Sequence, residues 1–262
     1  MIRSLWDHLP VIARIASKSP RMLIGLDYDG TLAPIANDPA SAELAPNARM
    51  ALQSLARRQG MSVAIISGRG LEDLFSHIGV DGLVYAGNHG IDISGLGLRF
   101  VQPGAIKEVA ALSKLSTTLT KRLQRFSGLV IENKEFTLTV HVRRVARSDV
   151  PDVARIVGDS LSGFTQRLHM THGKEVFEIR PSLNWNKGSA ILWICEQMGI
   201  EGSDVIYFGD DVTDEDAFNA LPIATTIKVG DPENTAARHY VDGPEDVLRF
   251  LCWFNLIHQP NR

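Results

Sequence analysis

The 262-residue sequence contains only two cysteines, Cys195 and Cys252. They stand far apart, each inside an apolar helical pattern: Leu192, Trp193 and Ile194 around the first, Leu251, Trp253 and Phe254 around the second. That count and spacing argue against a disulfide framework and a cysteine metal site, and both are expected as buried thiols in a reducing compartment. An excess of basic residues is also missing: Lys plus Arg number 27 against 30 Asp plus Glu, a formal net charge of −3. No long-range field then draws nucleic acid or an anionic membrane, and a phosphorylated ligand would need a local positive site. No stretch reaches the roughly 18 apolar residues of a membrane span. At the N-terminus Arg3, Asp7, His8 and Pro10 interrupt any signal-peptide core, while Leu5, Leu9, Ile12 and Ile15 are spaced as an amphipathic helix or docked arm. These absences favour the cytoplasm. Low-complexity tracts and internal repeats are also absent.

What is present is an ordinary globular composition, 44% hydrophobic and 22% charged, at a length that suits one large domain or two small ones. The apolar run 22–26 reads as a buried strand. A helix over 46–59 has Pro46 near its start and Gly60 after its end. A strand at 62–66, a short helix at 71–78 and a strand at 83–85 complete a rhythm that implies a parallel α/β sheet. The middle reads differently. A long helix is expected from 104 to about 126. In 129–142, Phe136, Leu138, Val140 and Val142 alternate with Thr137, Thr139, His141 and Arg143, the mark of a one-sided strand. A helix at 152–161 and strands at 167–171 and 175–180 follow. After Pro181 the α/β rhythm returns: helix 187–198, strand 204–208, helix 213–220, strand 225–229 and helix 244–254. The expected fold is α/β: a parallel-sheet, Rossmann-like core, 1–103 and 182–262, split by an inserted α+β cap domain, 104–181. Ligands of such sheets bind outside the carboxyl ends of the strands.

Four motifs fall at those ends. Asp27-Tyr28-Asp29-Gly30-Thr31 follows the first buried strand. Two carboxylates two residues apart can divide labour, one as nucleophile and metal ligand, the other as acid and then base. The ordinary alternative is an Asx-turn. An EF-hand loop is rejected, because its glycine belongs at the sixth position and Gly30 is fourth. Ser67-Gly68-Arg69 follows the second strand and offers a hydroxyl beside helix N–H groups, or simply an N-cap. Asn186-Lys187-Gly188-Ser189 opens a helix with a lysine at the positive end of its dipole, suited to neutralising a phosphoryl group; a solvated lysine is the bland reading. Gly209-Asp210-Asp211-Val212-Thr213-Asp214-Glu215-Asp216 is an acidic loop. A capping box of Thr213 with Asp216 explains its helical part. It leaves Asp210 and Asp211 for a hard dication such as Mg²⁺.

In this combination and order the chain resembles the haloacid dehalogenase-like phosphohydrolases. That resemblance implies a Mg²⁺-dependent phosphatase. Asp27 is the nucleophile and a metal ligand. Asp29 is the acid and base and lends its backbone carbonyl to the metal. Ser67 and Lys187 hold phosphoryl oxygens, Asp210 is a further metal ligand, and Asp211 and Asp214 support the metal's surroundings. A membrane ion pump also uses an aspartyl-phosphate, but lacks an acid/base aspartate at position 29 and needs membrane spans. A phospho-accepting receiver domain is about half this length, has no insert and carries no such second aspartate.

The insert sharpens the likeness. Gly87-Asn88-His89-Gly90, Glu132-Asn133-Lys134, His141-Val142-Arg143 and Gly173-Lys174 through Glu178-Ile179-Arg180-Pro181, with Asn186-Lys187-Gly188, are similar to the trehalose-6-phosphate phosphatases. Val142 departs from an aromatic that the family often has there. The resemblance implies sugar contacts from Glu132, Lys134, Lys174 and Glu178, with Gly68, Arg69, Asn88 and His89 at the pocket edge. A solvated polar sheet face is the plainer alternative for the insert. The implied partner is a small sugar phosphate, with no nucleic acid, no membrane and a monomer as the expected state. A phosphatase of sucrose or glucosylglycerol phosphate is the alternative.

Overall fold

In the computed structural model of the protein, residues 2–35, 42–173 and 175–257 are described. A two-residue strand β1 (Arg3–Ser4) is followed by helix α1 (Leu9–Ala16), which buries Ile12 and Ala16. Strand β2 (Met22–Leu26) is buried along its whole length. Helix α2 (Pro46–Ala56) starts on proline, whose missing N–H costs nothing in a first turn. Then come β3 (Met61–Ile66), α3 (Leu71–Ile78), β4 (Val84–Gly87), β5 (Asp92–Gly95) and β6 (Leu98–Val101). An intervening block holds α4 (Pro103–Ile106), α5 (Val109–Leu123), β7 (Val130–Asn133), β8 (Leu138–His141), α6 (Val150–Leu161), β9 (Leu168–Gly173) and β10 (Val176–Pro181). The chain ends with α7 (Lys187–Met198), β11 (Val205–Gly209), α8 (Val212–Ala220), β12 (Thr225–Val229), β13 (His239–Val241) and α9 (Pro244–Ile257). It divides into two units, Met1–Phe100 with Trp185–Arg262, and Val101–Asn184.

The larger unit is built on a nine-stranded sheet in the order β1-β13-β12-β11-β2-β3-β4-β5-β6. Its pairs are parallel from β1 through β4, and β4 pairs antiparallel with β5. A parallel sheet is covered on both faces, which is why its central strands are continuously apolar. Ile24, Leu26, Ile206 and Phe208 face a core with Ile12, Leu52 and Phe250. Leu23, Ala64, Val205 and Tyr207 face a second core with Ile191, Ile194 and Phe218. Three adjacent strands, β11, β2 and β3, end side by side, and each hands the chain to a polar loop.

The smaller unit has a four-stranded sheet, β7-β8-β10-β9, whose neighbouring strands pair antiparallel. Leu138, Val140, Phe177 and Ile179 pack on Leu112, Leu115 and Val157 of its helices. The intervening residues form a polar row on the other face: Glu132 opposite Thr139, Thr139 opposite Glu178, Glu178 opposite Thr171.

Four expectations need correction. The long helix from 104 is two helices, with a break at Lys107 and Glu108. The strand expected within 129–142 is a hairpin: the Asn133 side chain accepts from the Glu135 N–H at 3.0 Å, and Glu135 takes φ 69°. Cys252 is exposed on α9 rather than buried; Cys195 is buried as expected. The capping box of α8 is Asp211 with Asp214, two residues earlier than the Thr213–Asp216 pair. Strands β1, β5, β6 and β13 have no counterpart among the sequence expectations; at two to four residues they are too short for a period-2 pattern to register.

Candidate active site

Asp27 is the first residue past β2, and its N–H still donates to the Phe208 carbonyl at 3.0 Å. The ladder therefore fixes its position, and its side chain is buried. The chain then folds back tightly, with the Leu32 and Ala33 N–H groups both donating to the Tyr28 carbonyl at 2.9 Å. Gly30 makes this turn possible. It sits at φ +85°, and a Cβ there would strike the Asp210 carboxylate.

Lys187 opens α7, whose N-cap is the Asn186 side chain accepting from the Ser189 N–H at 2.9 Å. The solvated alternative does not hold, since Lys187 is 2% exposed. Its Nζ donates at 2.8 Å to Asp27 Oδ1 and at 2.8 Å to Asp214 Oδ1. Asp214 is also held by the Tyr207 hydroxyl, at 2.9 Å, and its Oδ2 accepts from the Asp211 N–H at 3.1 Å. Lys228 donates from its Nζ to the Asp210 carbonyl. Asp27, Asp210 and Asp214 each offer an oxygen within 4.8 Å of the others.

Lys187 pairs with two of the three carboxylates in this cluster. Burial drives the Asp27 carboxyl well above its usual range; the Lys187 charge opposes this, and Asp214 and Asp210 reinforce it. Asp210 is raised to about 6 for the same first cause, burial, with Asp214 adding to it. Burial works against the charge on Lys187, but Asp214 and Asp27 outweigh it and hold the amine above its ordinary value. Asp210 Oδ1 is buried without a hydrogen-bond partner among the described residues. An all-oxygen, electron-rich cluster with an unsatisfied buried oxygen fits a hard dication.

Asp29 is placed apart from that cluster's lysine. Arg69 grips it with two donors, Nε to Oδ2 at 2.7 Å and Nη2 to Oδ1 at 2.7 Å. Ser67, at the end of β3, is 1% exposed, and its hydroxyl accepts from the Arg69 N–H at 3.2 Å. Ser67 is not an N-cap: α3 begins after Gly70. The loop after β4 closes against this segment, the Asn88 N–H donating to the Arg69 carbonyl at 2.7 Å and the His89 N–H to the Ser67 carbonyl at 2.8 Å. Gly68 lies against the His89 ring, where a Cβ would stand 2.7 Å from it. The strand ends thus carry Asp27, Asp29, Ser67, Gly68, Arg69, Asn88, His89, Asp210 and Asp211 in one unit with Lys187 and Asp214.

In the smaller unit, Glu132 contacts His141 Nε2 at 2.9 Å and Lys134 Nζ at 3.9 Å. Glu178 is buried and accepts from Arg180 Nε at 3.0 Å. Between them in the polar row lies Thr139, whose buried hydroxyl has no partner among the described residues. Lys174 lies outside the described residues.

Tyr207 and Lys228 stand outside the sequence motifs, and Thr139 enters there only as part of the polar phase of an alternating strand. A tyrosine in an apolar strand leading to the acidic loop, and a hydroxyl on the polar phase of an alternating strand, are signals that single them out only in hindsight of the sheet.

Residues 25–236 match the family described as Trehalose-phosphatase, and the chain belongs to that family. A curated trehalose-phosphate phosphatase of Mycobacterium tuberculosis is 37% identical over 233 residues, covering 86% of this chain and 59% of that protein. The chain thus spans little more than half the length of such relatives. A solved trehalose-6-phosphate phosphatase related protein superposes with TM-score 0.79 at 27% identity, covering 90% of this chain and 97% of that one. The fold is also that of a haloacid dehalogenase-like hydrolase from Bacteroides thetaiotaomicron, with TM-score 0.62 at 16% identity, covering 89% of this chain and 99% of that one.

Proposed function

We propose that this chain hydrolyses trehalose 6-phosphate to trehalose and phosphate through an aspartyl-phosphate on Asp27. The observation that carries the proposal is Lys187 bridging Asp27 and Asp214, with the unsatisfied Asp210 Oδ1 alongside. A carboxylate at a strand end, next to a fixed cation and a metal-binding acid, is the equipment for capturing a phosphoryl group. Membership of the family supplies the substrate class. The Asp27 and Asp210 carboxylates, with Asp214 beside them and the Asp29 carbonyl, would hold Mg²⁺. When bound, the dication would offset the charge of the three carboxylates and of the phosphoryl oxygens.

The chain's own residues then divide the chemistry. An Asp27 oxygen bonds to phosphorus as the ester bond to the sugar oxygen breaks. Asp29 donates its proton to that oxygen, and trehalose leaves. Asp29 next takes a proton from a water, which attacks the phosphorus of the aspartyl-phosphate; the Asp27–phosphorus bond breaks and phosphate is released. Ser67 and Lys187 hold the phosphoryl oxygens throughout, and Arg69, Gly68, Asn88 and His89 border them. A positioned acid/base of this kind contributes about 10²–10⁴-fold. Glu132, Lys134 and Glu178 take the sugar hydroxyls, and the net charge of −3 suits a small ligand better than nucleic acid or a membrane. Among the described residues no helix is long and apolar enough to cross a membrane, and we place the chain in the cytoplasm.

The test is phosphate release with Mg²⁺, with and without chelator, from trehalose 6-phosphate, sucrose 6-phosphate, glucose 6-phosphate and p-nitrophenyl phosphate. Chelator-sensitive preference for trehalose 6-phosphate is the expected result. Preference for another ester would retain the chemistry and replace the substrate. Inactivity on all four would sink the proposal.

A further inference from the structure

The grip of Arg69 on Asp29 is itself held from behind. Arg69 Nη1 donates to Asp73 Oδ2 at 2.9 Å and lies 3.3 Å from His77 Nε2. His77 Nδ1 stands 2.8 Å from the Asp73 carbonyl, so that nitrogen carries the proton and Nε2 is left to accept from Arg69. The guanidinium also lies over the Tyr28 ring, 5.1 Å from its centroid, and Tyr28 is tied by its hydroxyl to the Ala42 carbonyl at 2.7 Å. The arginine side chain is 8% exposed, whereas that of Asp29 is 38% exposed. Packing alone therefore does not fix Asp29; the arginine's planar fork does. Residues 69, 73 and 77 recur at intervals of four, so α3 presents the aspartate and histidine together toward the arginine that precedes it.

We infer that Asp73 and His77 are positioning residues, which fix the Arg69 guanidinium and through it the orientation of the Asp29 carboxyl. Neither touches the reacting atoms. The inference rests on the reading that Asp29 is the acid that protonates the leaving oxygen. If that is its work, a slack relay hurts esters whose leaving group needs the proton and spares those whose leaving group does not.

Phenyl phosphate and p-nitrophenyl phosphate differ by one nitro group, and the far less basic p-nitrophenolate departs with little protonation. The experiment measures kcat/KM for both with Mg²⁺ in the wild type, Asp73→Asn, His77→Leu, His77→Gln and Asp29→Asn, with circular dichroism melts as a check of folding. Because kcat/KM ends at the first irreversible step, it reports phosphoryl transfer rather than breakdown of the aspartyl-phosphate. Asp73→Asn and His77→Leu are expected to lose about tenfold on phenyl phosphate and under about twofold on p-nitrophenyl phosphate, a size consistent with a displaced catalytic group. His77→Gln keeps an acceptor near the Nε2 position and is expected to recover most of the difference. Equal losses on both esters in Asp73→Asn and His77→Leu, or no loss on either, would overturn the relay while a leaving-group-dependent loss in Asp29→Asn leaves the acid assignment standing. Equal loss on both esters in Asp29→Asn would overturn that assignment, and the relay with it. Asp73 is 42% exposed in its side chain, so its replacement tests the idea even where a His77 variant fails to fold.

Discussion

Lys187 and Asp27 illustrate how much one buried charge is asked to do. The ammonium supplies the counter-charge for two buried carboxylates, Asp27 and Asp214. Removing one partner of such a set typically costs about 3–5 kcal/mol. Lys187→Met is therefore expected to lower denaturant-derived stability by about that amount, and a change below about 1 kcal/mol would mean that the cluster relaxes freely. Asp27→Asn keeps the shape and a hydrogen-bonding oxygen for Lys187. It is expected to retain the fold by circular dichroism while losing phosphate release altogether; normal turnover by a folded variant would refute the nucleophile assignment. Gly25 is a different kind of residue-level constraint. It is the cross-strand partner of Tyr207, and a Cβ there would come 2.5 Å from the tyrosine ring. The bare glycine lets the ring lie flat enough for its hydroxyl to meet Asp214.

At the level of elements, α8 resolves what Asp211 does. Its side chain closes the capping box with Asp214, two residues before the Thr213–Asp216 pair that the sequence pattern suggests. Asp211→Ala should cost about 1 kcal/mol, and Asp211→Ser should recover most of it, since serine caps nearly as well. A serine variant that recovers stability yet binds Mg²⁺ more weakly would assign Asp211 to the metal as well. The edge strands supply a pH-dependent element. β1 pairs with β13, Arg3 opposite His239, and the His8 ring stacks on His239 at 4.1 Å between centroids. Burial first, then His8, Arg238 and Arg3, push the His239 pKa from 6.5 down to about 4. Between those values the unfolded chain binds the proton and the folded chain does not. Stability therefore rises with pH across that window and is complete above it. Thermal melts from pH 4 to 7 should show this slope, and His239→Gln should flatten it.

For the molecule as a whole, a Mg²⁺ ion bound as proposed would be the strongest lever. A dication that binds the folded carboxylates and not the unfolded chain stabilises by about 2.7 kcal/mol at a hundredfold excess over its Kd. Mg²⁺ should raise the melting temperature, a chelator should reverse the rise, and Asp210→Asn should abolish the response. Recognition is expected to behave independently. Glu178→Ala should reduce use of trehalose 6-phosphate far more than of p-nitrophenyl phosphate, because only the sugar ester has hydroxyls for that carboxylate to hold. Equal loss on both would place Glu178 in a structural role, with Arg180 as its partner.

The sequence by itself determined the local features: apolar runs long enough to be buried strands, punctuation by glycine and proline, and polar motifs at the ends of β2, β3 and β11. These follow from the period of side chains along the backbone and from composition, and both are local properties. It also carried the family likeness, because the motifs are short and contiguous. Tertiary structure alone decided the pairings. Lys187 reaches Asp27 across 160 positions, and Arg69 reaches Asp29 across 40. Nothing in the local pattern distinguishes a lysine that is solvated from one that is buried between two carboxylates. The same limit hid Tyr207, whose hydroxyl gains its meaning only when β11 lies beside β2 and α8 folds back over their ends. Charges choose partners by distance in space, and distance in space is set by the sheet order.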